Sequence, residues 1–295
     1  MRQATGADWS LRARMFVTMA LLAAVYLGFL SYLSSAGVGI GFLAVIAGGM
    51  LGLQYFFSDR MALWGMKAKV VSPEQEPRLH AMVDRLATEA GIPKPRVAVS
   101  KMPIMNAFAT GRSRRKAVVA VTEPLMQHLD ERELEAVLAH EISHVVHRDV
   151  AVMTLASFFA MLAFFLMRSF LFVGIFGGGR NRDSGGGSIW MVYLVSMLVY
   201  FVSQILILAL GRYRELSADR RGAYLTRRPR DLASALRKIA GSMPHTNQQT
   251  KQAVQSMNAF FIVPTSLKEL FSSHPPLERR IRELEKIERE LGGAA

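Results

Sequence analysis

Apolar residues follow two patterns along this chain. Four long runs are almost unbroken. Leu, Ala and Phe dominate Met15 to Leu33, and Ala36 to Phe57 holds no charge. Val150 to Phe176 holds only Arg168, and Ile189 to Leu210 holds none. Each run is close to the ~20 residues that a helix needs to cross a hydrocarbon layer. Any one of them could be a buried core helix; four together predict a membrane protein. Elsewhere the apolar residues are spaced. Leu79, Met82, Val83 and Leu86 stripe a helix over Glu74–Ala90, which Gly91 and Pro93 stop. Three β-prone pieces follow at Arg96–Ser100, Asn106–Thr110 and Ala117–Val121. Leu134, Val137, Leu138, Ile142 and Val145 mark a further helix, with Asp130 as N-cap and Glu133 in the capping-box position. Leu277, Ile281, Leu284, Ile287 and Leu291 stripe a last charged helix that would pack against the rest of the polar domain. The fold class predicted is mainly α with a small β-sheet.

The order of these elements divides the chain. Residues 1–57 make a short basic tail and two spans, and 58–149 a polar part. Residues 150–210 form a hairpin of two more spans, and 211–295 a second polar part. His245–Gln255 is expected to be a loop.

Composition sharpens the membrane assignment. The 295 residues are 51% hydrophobic, with 36 Lys and Arg against 23 Asp and Glu, a net charge of +13. Such a balance first suggests nucleic acid. Here, however, the cations flank the apolar runs: Arg12 and Arg14, then Arg60, Lys67 and Lys69, then Arg212, Arg214, Arg220 and Arg221. That distribution marks a cytoplasmic membrane face with anionic headgroups as partner, so no nucleic acid is expected. Arg112 to Lys116 fits the same face or a solvated loop. Both termini and the polar parts are placed in the cytoplasm. With no cysteine, neither a disulfide framework nor a thiolate metal site is available.

The chemistry concentrates in His140-Glu141-Ile142-Ser143-His144. On a helix, residues four apart share a face one turn apart, so both imidazoles can bind one ion with Glu141 beside them. The bland alternative is a buried amphipathic helix holding two satisfied histidines. A catalytic zinc takes three protein ligands and keeps a place for water. The segment Arg212–Ala223 follows the fourth run directly, and in it Glu215 and Asp219 again stand four apart. Glu215 could bind metal, while Asp219 could accept the N–H of a ligating histidine; otherwise both are surface charges paired with Arg214 and Arg220. A hairpin of two spans returns Glu215 to the side of the histidines. His147 shares their face but lies ~10 Å along the axis, too far to bind the same ion. His80 and His128 have no partner at ligand spacing.

The stretches HEISHVVHRD, RYRELSAD, SHPPLERRI and MNAFATG, with four apolar runs in this order, resemble the HtpX family of bacterial membrane zinc proteases. More distantly they resemble the CAAX prenyl proteases. The likeness covers essentially the whole chain. It implies a zincin-type (gluzincin) catalytic domain on the cytoplasmic side of the inner membrane. It implies one zinc per chain held by His140, His144 and Glu215, with Glu141 as base. It also implies a metalloendopeptidase that clears damaged membrane proteins under stress, with unfolded or membrane polypeptides as substrates. Carried over in the same way, Asp219 orients a histidine, His274 stabilises the oxyanion, and Arg280 lies nearby. Asn106, Ala107 and Phe108 would belong to an edge strand that pairs with the substrate backbone, although Asn106 reads equally well as a plain strand-end residue. The chain departs from the family at His147, often Asn, and at Ser217, often an aromatic. A prenyl-type CAAX endopeptidase and a non-catalytic zinc-binding scaffold are the competing readings.

Overall fold

A computed structural model describes residues 9–37, 40–176, 186–242 and 274–292. Helices α1 (Trp9–Ser35), α2 (Ile40–Gly65), α6 (Asp149–Phe176) and α7 (Gly186–Thr226) are long. The remaining helices are α3 (Pro77–Ala90), α4 (Glu123–His128), α5 (Glu131–His147), α8 (Pro229–Ser242) and α9 (Leu277–Gly292). Strands β1 (Ala68–Val70), β2 (Arg96–Ser100), β3 (Ala107–Thr110) and β4 (Val118–Thr122) form one sheet in the order β1-β2-β4-β3. The β2–β4 pair is parallel and the other two are antiparallel. The three expected strands are present within a residue of their predicted bounds. β1 was not foreseen, because it is only three residues long and none of them is buried. β3 stands at one edge with only β4 beside it.

Three apolar clusters organise the molecule. One lies between α3, the sheet, α5, α8 and α9, and buries Leu86, Val119, Leu138, Ile142, Leu236 and Leu284. The expected stripe on α9 thus packs against the domain. A second cluster joins α1, α6 and α7 through Leu22, Phe29, Leu162 and Leu210. There Tyr26 Oη donates to the Ala156 carbonyl at 2.9 Å, giving the phenol a partner between apolar helices. A third packs Ala62 and Met66, at and just past the end of α2, under Ala98, Phe108 and Ala120 of the sheet.

Among the described residues three helices, not four, are long and apolar enough to cross a membrane: Trp9–Ser35, Asp149–Phe172 and Trp190–Thr226. The run Ala36–Phe57 departs from expectation. It opens α2, where several side chains lie outside the described residues, and the helix then continues through Ser58, Asp59 and Arg60 to Gly65. Its last turn reaches the sheet through Ala62, with Met66 just beyond. The expected boundary at 57 therefore falls inside a helix, and the boundary at 210 falls inside α7. The expected loop 245–255 lies outside the described residues.

Local signals explain how α5 is placed. Asp130 accepts from the Glu133 backbone N–H at 2.9 Å, and Glu133 accepts from that of Asp130 at 3.0 Å, closing a capping box. Glu133 is held further by Ser234 at 2.7 Å and Lys238 at 2.6 Å, both on α8. At the other end Arg148 adopts φ 56, a left-handed turn, and α6 begins at the next residue. The chain thus changes direction within one residue of the histidine helix.

Candidate metal centre and active site

His140 and His144 project from one face of α5 and are both buried. Their Nε2 atoms stand 3.1 Å apart. Glu215, from α7, approaches them with Oε2 at 3.5 Å from His140 Nε2 and Oε1 at 3.4 Å from His144 Nε2. The three side chains could hold one metal ion. Two ligand atoms on a tetrahedral zinc at ~2.0–2.1 Å bond lengths lie about 3.3 Å apart, close to the separation of the two Nε2 atoms, while Glu215 offers one oxygen to each ring.

The far side of each ring settles which nitrogen faces the centre. His140 Nδ1 lies 2.9 Å from Asp219 Oδ1, and His144 Nδ1 lies 2.6 Å from Asp149 Oδ2. A carboxylate accepts only, so each Nδ1 carries the proton and each Nε2 turns a lone pair inward. Two lone pairs and a carboxylate so close together, all buried, repel unless a cation lies among them. The donor set therefore fits a divalent metal. Burial opposes a charge on His140, but hydrogen bonds to Asp219 and Glu215 outweigh it and push its pKa up to about 10. The same negative surroundings that bind a proton tightly also attract a metal ion.

Both supporting carboxylates are anchored by arginine. Asp219 accepts two hydrogen bonds from the buried Arg280, at 2.7 Å from Nε and 2.6 Å from Nη2. Burial opposes the guanidinium charge, yet Asp219 outweighs it and raises the pKa further. Arg214 Nε lies 3.1 Å from Asp149 Oδ1, an ion pair. His274 Nδ1 stands 3.0 Å from Glu215 Oε2.

The centre opens into a cavity of about 310 Å³. Its walls include β3 from Ala107 to Thr110, the three donors with Glu141 and His274, Gln54 and Ser58 of α2, and Val150, Met153, Thr154 and Ser157 of α6. A nucleophilic water, a carboxylate base and an extended chain along β3 could meet in this space.

The model of peptidase family M48 matches residues 73–288. The chain belongs to peptidase family M48. Among its relatives, the protease HtpX homolog of Moorella thermoacetica is 53% identical over 296 residues and 99% of both chains. Protease HtpX homolog 2 of Methanosarcina acetivorans is 50% identical over 96% of this chain and 97% of its own. The crystal structure of S. mikatae Ste24p shares the fold, with a TM-score of 0.54 at 19% identity, over 94% of this chain and 67% of that one. These likenesses and the apolar helices identify an HtpX-type membrane metalloprotease of the M48 family.

In this M48 protease the expected residues gather at one place, with some differences in detail. His140, Glu141, His144, Glu215 and His274 line the cavity, and so do Ala107 and Phe108, whose strand edge faces it. Asp219 supports His140. Arg280 does not reach the cavity wall; it grips Asp219 from behind. Asn106 is buried at the start of the edge strand, its backbone N–H donating to Thr122 Oγ1 at 3.0 Å. His147 is half-buried, and burial pushes its pKa down to about 4. His80 and His128 lie away from the site, with Nε2 3.1 Å from the Val71 carbonyl and Nδ1 2.8 Å from that of Pro124 respectively.

Sequence reasoning missed Asp149 and the M48 site's second arginine, Arg214, in this role. Asp149 is five residues after His144, a spacing that leaves the helix face, and only the left-handed turn at Arg148 brings it back. Gly222 was missed as well. A Cβ there would stand 3.0 Å from the His140 backbone nitrogen, so a residue without one lets α7 press against α5 where the ligand sits. The signal was available one turn beyond Asp219, on the same α7 stripe.

Proposed function

We propose that this chain is a zinc-dependent endopeptidase that hydrolyses peptide bonds in misfolded or damaged membrane proteins. In this reading it serves membrane-protein quality control under stress, from the inner membrane of a bacterial cell. In it the active site faces the cytoplasm. Anionic headgroups lie against the basic residues that flank the spans. The reading rests on one observation: three buried donors close enough together to share one ion, with Glu141 in the same cavity wall.

His140, His144 and Glu215 would hold one zinc ion. When bound, zinc supplies Lewis-acid polarisation and a water acidic enough to attack at neutral pH. The remaining work falls to the protein. The β3 edge pairs with the substrate backbone and holds the scissile carbonyl in place. Glu141 takes the proton of the attacking water and delivers it to the leaving amine, a role worth about 10²–10⁴ in rate for a positioned base. His274 donates to the oxyanion of the tetrahedral intermediate. Asp219 and Asp149 keep the imidazoles in one tautomer, and Arg280 fixes Asp219. Main-chain pairing reads little side-chain identity, which suits unfolded substrates.

Glu141→Gln tests this directly. Cleavage of casein or of a membrane-protein reporter should fall by at least 10² while zinc content stays unchanged. Undiminished cleavage would remove the assignment.

A further inference from the structure

The mechanism uses one edge of the bound peptide and leaves the other without a protein partner. In an extended chain successive backbone N–H groups point to opposite edges. A peptide paired with β3 therefore turns every second N–H away from the sheet, into the cavity. Those groups cannot stay dry and unpaired without cost.

The wall that completes the cavity beside β3 includes α2. Gln54 and Ser58 stand four residues apart on that helix, hence on one face, and both line the cavity. The Gln54 Oε1 atom is buried and makes no hydrogen bond. It is an amide oxygen in a helix otherwise rich in Leu, Gly and Phe, with Leu53 and Phe56 around it turned outward. A buried acceptor without a donor is destabilising, so its retention here asks for a donor that arrives from outside. The loop after β3 is tied to the same helix, with the Arg112 guanidinium 5.3 Å from the Phe56 ring centre and 5.9 Å from that of Tyr55. Strand and helix thus line one cavity and are fastened at one end.

We propose that Gln54 is a substrate-positioning residue whose side-chain oxygen accepts one outward-facing backbone N–H of the peptide lying along β3. The substrate is then held on both edges, by the sheet on one side and by α2 on the other. Both contacts are made to the backbone, so the clamp adds grip without side-chain preference. On the α6 side the cavity reaches Ser157, eight residues beyond Asp149, or ~12 Å along the helix. The clamp therefore sits where an apolar segment could be drawn from the membrane layer with its backbone groups satisfied. This assignment rests on the peptidase reading above.

The test uses the full chain in detergent, zinc-loaded, and a fluorogenic peptide that the wild type cleaves. Ester analogues replace one amide N–H at a time by oxygen. Replacing an N–H that faces β3 should lower kcat/KM in the wild type and in Gln54→Met alike. At one position of the alternating set, the ester should lower the wild-type kcat/KM roughly tenfold and leave Gln54→Met unchanged. Gln54→Asn, which draws the amide back by one methylene, should lose the same coupling, and unchanged zinc content in either variant confirms the fold. Identical ester penalties in wild type and variants would overturn the assignment. Failure of the peptidase reading shows separately, as undiminished cleavage by Glu141→Gln, and would take the clamp with it.

Discussion

The two paired histidines are supported by the same three-part chain, built in two different ways. On the inner side His140 leans on Asp219, and Asp219 on Arg280, in a fully buried array spanning α5, α7 and α9. On the membrane side His144 leans on Asp149, and Asp149 on Arg214, where α6 begins and α7 enters the domain. The Arg280 side chain is 1% exposed and that of Arg214 is 12%. Asp149 is as buried as Asp219, at 1%, so the two chains differ at the arginine. Burial makes both carboxylates structural as well as orienting, and only the outer arginine keeps partial access to solvent.

Removing the inner carboxylate should have the largest effect. Asp219→Ala leaves Arg280 buried without the two hydrogen bonds that Asp219 accepts from it. Breaking a buried pair costs about 3–5 kcal/mol, so metal-free variant protein should lose its fold at clearly lower temperature and also bind zinc weakly. The outer counterpart, Asp149→Ala, should weaken zinc affinity by about 10–100-fold and lower the unfolding temperature of the metal-free protein by less, because the Arg214 side chain keeps partial access to solvent. Equal destabilisation by both variants would erase the distinction between the two sides.

The same contrast governs what the amino-acid order reveals. Asp219 was legible because it rides one rigid helix with Glu215, and a spacing of four fixes both on one face. The paired histidines were legible for the same reason. Asp149 was hidden by a single left-handed residue, which no periodicity records. Helices striped by Leu and Val could be found, as could short β-prone pieces, although their burial does not alternate. The extent of α2 could not, because an apolar run looks alike whether it ends in lipid or continues under a sheet. That Arg280 serves Asp219 depends on α9 folding back over α7, a tertiary contact carried by neither segment alone.

Two smaller effects refine the comparison. Gly222→Ala forces a methyl against the His140 backbone at 3.0 Å, on the inner side only. A cost of about 1–3 kcal/mol is expected from overpacking, with zinc affinity lowered through displacement of His140. Glu133 serves as a control at the other end of α5. Burial raises its pKa, but hydrogen bonds from Lys238, Ser234 and the Asp130 backbone outweigh that and leave it below the ordinary carboxylate value. A depressed folded-state pKa adds stability above the unfolded value, and this is lost as pH falls through the folded one. Glu133→Gln should thus cost about 1 kcal/mol at neutral pH, the typical worth of a helix cap, and flatten the acid limb of the stability curve. Its zinc affinity should match the wild type. Thermal unfolding across acidic to neutral pH, with zinc titration alongside, measures both.

Both supporting chains matter only if they converge on one ion, and Glu215 is the residue they share it with. Zinc content of the purified wild type beside Glu215→Ala measures that convergence directly. One equivalent per wild-type chain and almost none in the variant is the predicted result. Stoichiometric zinc retained by folded Glu215→Ala would contradict the three-donor centre.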